Sequence, residues 1–120
     1  MSSSPISKVL FNKVAFIGLG LIGSSLARVI VAEQLATEIV ASTRKKKTLE
    51  DAKALGLIQH GYENPVDAVQ GADLIVLALP VRATQKVLEQ IKPYISENAI
   101  ITDVGRTKGN VVDAAKAVFG

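Results

Sequence analysis

The chain has 120 residues, 48% hydrophobic and 21% charged, a composition that fits one globular domain and excludes a disordered or collagen-like chain. It carries no cysteine, which excludes a disulfide frame and a thiolate metal site, and its one histidine, His60, cannot build a metal cluster alone. The net charge of +3 is locally concentrated: four of the 14 basic residues are Arg44, Lys45, Lys46 and Lys47, and without interleaved aromatics this run reads as an anion site, not a nucleic-acid face.

Residues 1–12 read as an N-terminal lead-in that lacks the apolar core of a secretory signal. From 13 to 120 short apolar runs alternate with helical patterns, giving one candidate domain. No run approaches the roughly 18 apolar residues of a membrane span, so a cytoplasmic chain with no membrane partner is expected. The first run, Val14-Ala15-Phe16-Ile17, lacks the polar alternation of a half-exposed strand and predicts a strand covered on both faces. Three glycines follow, and then Ile22, Leu26, Val29 and Ile30 recur at helical spacing. Ile39-Val40-Ala41 predicts a second buried strand, and Thr48 to Leu55 a short helix stopped by Gly56. A strand over His60 to Tyr62 has little apolar support, and Pro65 to Gln70 predicts a proline-led helix stopped at Gly71. Leu74 to Ala78 and Ala99-Ile100-Ile101 predict two more strands. Thr84, Val87, Leu88 and Ile91 mark the helix between them, and 111–118 a closing one.

Parallel neighbours require a crossover, and the crossover helix covers a face of the sheet. The alternation therefore predicts an α/β fold, a Rossmann-type doubly wound parallel sheet with strand order 3-2-1-4-5. A flavodoxin-like sheet shares the alternation, but its phosphate loop has no need of three glycines at this spacing.

Four segments carry chemistry. In Gly18-Leu19-Gly20-Leu21-Ile22-Gly23, Gly18 permits a tight turn, Gly20 lets the backbone approach a pyrophosphate, and Gly23 lets the first helix lie close to the sheet. The amides of Leu21 and Ile22 would face the phosphates, aided by the helix dipole; the plainer reading is a glycine turn used for packing. Second, an NAD-type site places a carboxylate at the end of strand two to hold the ribose hydroxyls, whereas this chain has Ser42, Thr43 and Arg44 there. Two hydroxyls and a guanidinium suit a phosphate, which predicts NADP, with NAD as the alternative cofactor and a solvated basic turn as the plainer reading.

Third, Leu79-Pro80-Val81 follows strand four, which lies across the switch point from strand one and should border the nicotinamide half of a cofactor. Fourth, Thr102-Asp103-Val104-Gly105-Arg106-Thr107-Lys108-Gly109 begins at the ligand edge of strand five. Asp103 borders the cofactor or only caps the turn, while Arg106 and Lys108 are substrate-proximal cations suited to a carboxylate. Asp73, at the opposite edge, reads as structural. His60 reads as an ordinary polar residue beside Gly61 in a loop, and no catalytic or metal-ligating set emerges.

Through these segments the sequence resembles the N-terminal NAD(P)-binding domain of prephenate and arogenate (cyclohexadienyl) dehydrogenases over about residues 13–120. The likeness rests on Val14 to Ala27, on Gly71 to Val81, and on Thr102-Asp103-Val104-Gly105 with Lys108-Gly109. The last of these separates it from 3-hydroxyacid dehydrogenases and imine reductases, which share the glycine loop and the Pro80 turn. The resemblance implies NAD(P)-dependent oxidative decarboxylation of a cyclohexadienyl acid on the way to tyrosine, with a family histidine as general base. It also implies a C-terminal helical domain that completes the substrate pocket and the dimer, and the chain is expected to be truncated before it. His60 does not match the motif of the catalytic histidine, and Arg106 stands where the family usually has Ser. The expectation is an NADP-binding domain without turnover as this chain alone; a non-catalytic nucleotide-binding or interaction module on the same sheet is the alternative.

Overall fold

The computed structural model describes residues 9–104 together with residues 112, 115, 116 and 118. Five strands, β1 (Phe11–Ile17), β2 (Ala36–Ser42), β3 (His60–Tyr62), β4 (Leu74–Leu77) and β5 (Ile100–Asp103), form one sheet in the order β3-β2-β1-β4-β5. All four pairings are parallel, with Ile17 opposite both Ser42 and Leu77 and Leu77 opposite Asp103. The reversal of direction on either side of β1 is the switch point at which such sheets bind ligands.

Because side chains alternate across a strand, each strand feeds two cores. Val14, Phe16, Ile39, Ala41, Leu74 and Val76 pack with Leu26, Ala27 and Ile30 of α1 (Gly20–Ala32) and with Leu49 and Ala52 of α2 (Lys46–Ala54). Ala15, Ile17, Val40, Ile75 and Leu77 pack on the other face with Ala68 and Val69 of α3 (Pro65–Val69) and Ile91 of α4 (Val81–Ile91). The central strands β1, β2 and β4 are thus covered on both sides. At the edge the expectation fails: Ile100 and Ile101 of β5 are 54% and 41% exposed. Of the closing helix expected over 111–118, Val112, Ala115, Lys116 and Val118 are described and helical, with Ala115 and Val118 against the α1-side core.

Local chemistry sets the ends of the elements. α2 stops in a Schellman motif, with the Leu57 amide donating to the Ala52 carbonyl at 2.9 Å and the Gly56 amide to Lys53 at 3.0 Å. α1 stops the same way without glycine: Leu35 donates to Ile30 at 3.0 Å and Gln34, at φ 53°, to Val31 at 3.2 Å. Asn64 caps α3 by accepting from the Val66 amide at 2.9 Å, with Pro65 at the first helical position. α1 buries Gly23, Leu26, Ala27 and Ile30, whereas Ile22 and Val29 of the expected face are half-buried. The seam is rotated toward its small residues, which let the helix settle closer to the sheet.

Asp73 has the structural role expected of it. Its carboxylate accepts from the amides of Asn12 at 2.8 Å and Lys13 at 2.7 Å, and its own amide donates to the Lys13 carbonyl at 3.0 Å. One side chain thereby fixes the start of β1 against the start of β4. His60 is the first residue of β3, not a loop residue, with Nε2 4.0 Å from Glu38. His60 pairs with Val40, two residues before β2 and β3 end.

Candidate functional site

At the C-terminal edge of the sheet the chain leaves β1 through Gly18, whose amide donates to the Ser42 carbonyl at 2.8 Å. Gly18 has φ +83°, and a Cβ there would stand 2.6 Å from the Ala78 carbonyl oxygen and 2.8 Å from Leu79 Cδ2. The turn therefore needs glycine twice over, for its left-handed backbone and for its approach to the end of β4. Gly20, at φ +45°, has nothing within 4 Å of a Cβ, so its backbone faces open space. Gly23 lies against Ala78, its Cβ position 3.2 Å from the alanine Cβ, which is how α1 closes onto the sheet. Leu21 in the first turn is 88% exposed. No side chain caps α1 and no acidic residue stands in its first turn. Its leading amides thus have no side-chain cap and no acid in their own turn.

A groove of about 580 Å³ opens beside this loop, within the range of small-molecule sites. One wall comes from Ser42, Thr43, Arg44 and Lys45 after β2, and another from Glu63, Asn64 and Pro65 after β3. Ile17 and Gly18 form its floor, and Leu79 with Ala83 and Val87 of α4 its apolar side, with Gln90 of α4 beside them. The two loops are tied together: the Thr43 amide donates to the Tyr62 carbonyl at 3.2 Å, the buried Ser42 hydroxyl to the Glu63 carbonyl at 3.4 Å, and Lys46 Nζ lies 3.6 Å from Glu63 Oε1. Thr43 Oγ1 accepts from the Lys45 amide at 3.3 Å, which shapes the turn and leaves its hydroxyl proton to donate. Arg44 is exposed on the lip.

Of the residues singled out in the sequence, Gly18, Ser42, Thr43, Arg44 and Leu79 line the groove; Gly20, Leu21, Ile22 and Gly23 stand beside it in the loop and first turn of α1. Pro80 is the N-cap of α4, its carbonyl accepting from the Thr84 hydroxyl at 3.2 Å, and Val81 opens that helix, 63% exposed. Asp103, half-buried, ends β5 at the same edge. Arg106 and Lys108 lie outside the described residues. Sequence reasoning missed Glu63, Asn64, Pro65, Ala83 and Gln90 as groove residues, and read Val87 only as core. Their signal was topological: each sits just beyond a strand C-terminus or on the helix that follows one. Among the described residues no cluster of His, Asp and Glu is arranged to hold a metal, and no helix is long and apolar enough to cross a membrane.

Residues 26–120 match the family model described as "Prephenate dehydrogenase, nucleotide-binding domain". The match begins after the glycine loop, within α1. The prephenate dehydrogenase of Lactococcus lactis subsp. cremoris is 38% identical over 110 residues, covering 90% of this chain and 30% of that protein. The cyclohexadienyl dehydrogenase of Zymomonas mobilis is 36% identical, covering 85% of this chain and 35% of that protein. Among solved structures, prephenate dehydrogenase from A. aeolicus in complex with hydroxyphenyl propionate and NAD+ superposes with a TM-score of 0.72 at 24% identity, over 90% of this chain and 38% of that one. That likeness speaks to the fold. The chain spans about a third of the length of these relatives. It belongs to the prephenate dehydrogenase family, as its nucleotide-binding domain.

Proposed function

We propose that the loop and groove hold NADP(H) for a prephenate or arogenate dehydrogenase working in the cytoplasm on the route to tyrosine. The residues present fit a dinucleotide. Gly20 leaves a surface that a Cβ would occupy, and the first turn of α1 offers uncapped amides with no acidic residue in that turn, as suits a pyrophosphate. Ala83 and Val87 give an apolar wall on which a purine can lie. Leu79, Pro80, Val81 and Asp103 would border the nicotinamide half, since they end the strands across the switch point.

The observation that carries the choice of NADP is the lip of the groove. Where a carboxylate would hold the ribose hydroxyls, Thr43, Arg44 and Lys45 line the wall, a donor hydroxyl and two cations at the start of α2. An arginine fork with a donor hydroxyl matches a phosphate and has no advantage for a diol.

A bound nicotinamide would supply the hydride acceptor for oxidative decarboxylation of the substrate ring. This chain's residues bind and orient the dinucleotide. The only histidine of the chain, His60, is on the edge strand β3, 61% exposed and beside Glu38, and is not among the residues that line the groove. The chain alone therefore binds without turnover. Arg106 and Lys108 remain our assignment for the substrate carboxylates. Calorimetric titration with NADP+ and NAD+ tests the reading: tighter binding of NADP+, most marked at low salt, is expected. Equal or weaker binding of NADP+ would overturn the choice of cofactor. Mixing the chain with NADP+ and prephenate or arogenate should yield no reduced cofactor; steady turnover would overturn the assignment of a binding role alone.

A further inference from the structure

The groove contains one feature that a phosphate site does not ask for. Among the described residues that line it, Glu63 is the single acid, and it comes from the end of β3 instead of β2. Its backbone carbonyl accepts from Ser42 at 3.4 Å, which seats it against the basic lip, and its carboxylate stands 3.6 Å from Lys46 Nζ with both side chains largely exposed (65% and 79%). A carboxylate opposite a ribose diol accepts hydrogen bonds, whereas opposite a phosphate dianion it repels. The geometry points to Glu63, held by Lys46, as a second specificity-determining residue: it keeps the preference for the phosphorylated dinucleotide below what Arg44 and Lys45 alone would impose, so that the unphosphorylated form also binds.

This inference rests on the dinucleotide reading of the groove and deepens it. Lys46 neutralises part of the carboxylate's field on the lip, so the pair acts as one element whose net charge near the phosphate is close to zero. Removing the acid alone leaves Arg44, Lys45 and Lys46 unopposed. An exposed charge within a Debye length of a ligand phosphate changes affinity by about two- to fivefold at low salt.

The test is calorimetric titration of the chain and of Glu63→Gln, Glu63→Lys and Arg44→Ala with NADP+ and NAD+, at low and high ionic strength. The quantity read is the ratio of the two affinities, which a merely structural role of Glu63 would not move because both ligands share the same fold. In Glu63→Gln the ratio should rise about two- to fivefold in favour of NADP+. It should rise further in Glu63→Lys, and both gains should shrink at high salt. An unchanged or falling ratio in both Glu63 variants, with Arg44→Ala still lowering it, overturns the role of Glu63 while leaving the phosphate site intact. Wild-type protein that binds NAD+ at least as tightly as NADP+, with no effect of Arg44→Ala, overturns the groove reading and this inference together.

Discussion

Gly18→Ala isolates what the turn between β1 and α1 demands. At φ +83° an L side chain costs about 1–2 kcal/mol in the left-handed region. The new Cβ would also stand 2.6 Å from the Ala78 carbonyl oxygen, and that oxygen belongs to backbone which cannot swing aside. Forced shifts of this kind cost about 1–3 kcal/mol. The stiffer unfolded chain returns about 0.4–1 kcal/mol, so the net loss is about 2–4 kcal/mol, a large share of the roughly 5–15 kcal/mol that holds a domain together. Gly20→Ala supplies the internal comparison. Its φ of +45° carries the same backbone cost, but nothing lies within 4 Å of its Cβ, so the net loss is about 0–1.6 kcal/mol. Urea denaturation of the two variants and wild type measures this. With a slope of about 2 kcal/mol per molar, Gly18→Ala should lower the midpoint by about 1–2 M and Gly20→Ala by less than about 0.8 M. Adding Leu79→Ala to Gly18→Ala should restore only part of the loss, since it clears the contact with Cδ2 and leaves the one with the Ala78 carbonyl. Equal losses in Gly18→Ala and Gly20→Ala, or full rescue by Leu79→Ala, would refute the close approach as the cause.

Arg44→Ala should weaken NADP+ binding about tenfold, the worth of a charge-assisted hydrogen bond at a partly solvated site, and change NAD+ binding by less than about twofold in the same titration. Gln34→Gly should raise stability: relief of the left-handed strain, about 1–2 kcal/mol, outweighs the added unfolded-state freedom of about 0.4–1 kcal/mol. Thermal melting should then show a midpoint higher by about 2–4 °C. Asp73→Ala strips the acceptor from two backbone amides at 2.8 and 2.7 Å and should cost about 2 kcal/mol in chemical denaturation, with cofactor affinities unchanged because it stands at the opposite edge of the sheet.

Much of the sheet is legible in the sequence because its central strands are buried on both faces. Val14 to Ile17 and Leu74 to Leu77 are solid apolar runs for that reason, and the pairing order follows from the handedness of crossovers. The edges are less legible. β3 has only His60, Gly61 and Tyr62, and its place is set by backbone pairing to β2 and by the contact of Gly61 with Leu49, where a Cβ would sit 3.0 Å away. Ile100 and Ile101 read as buried by hydropathy alone, but a strand with one neighbour keeps a side open. In α1 the seam follows Gly23 and Ala27, residues whose small size matters more to helix–sheet distance than their hydropathy shows. The glycine loop and basic lip are legible as local patterns. Glu63 and the α4 wall are not, because which loops meet at one edge is a property of topology.

The helix starts along that edge divide in a way that stability alone does not account for. α3 is capped by Asn64, opens on Pro65 and carries Asp67 in its first turn, all favourable at the positive end of a helix. α1, α2 and α4 have no side-chain cap and no acid in the first turn. α2 even begins with Lys46 and Lys47, each opposed to the dipole by about 0.3–1 kcal/mol. A serine cap on α1 or a glutamate in α2 would be a simple gain for folding. It would also occupy the amides or cancel the charge that a pyrophosphate and a 2′-phosphate need. The three helices that forgo these stabilisers are those whose starts flank the glycine loop, the basic lip and the switch point, whereas the capped helix starts in the groove's other wall, beside Glu63. The cost in helix stability falls where the dinucleotide reading requires positive potential, and it is absent where that reading requires none.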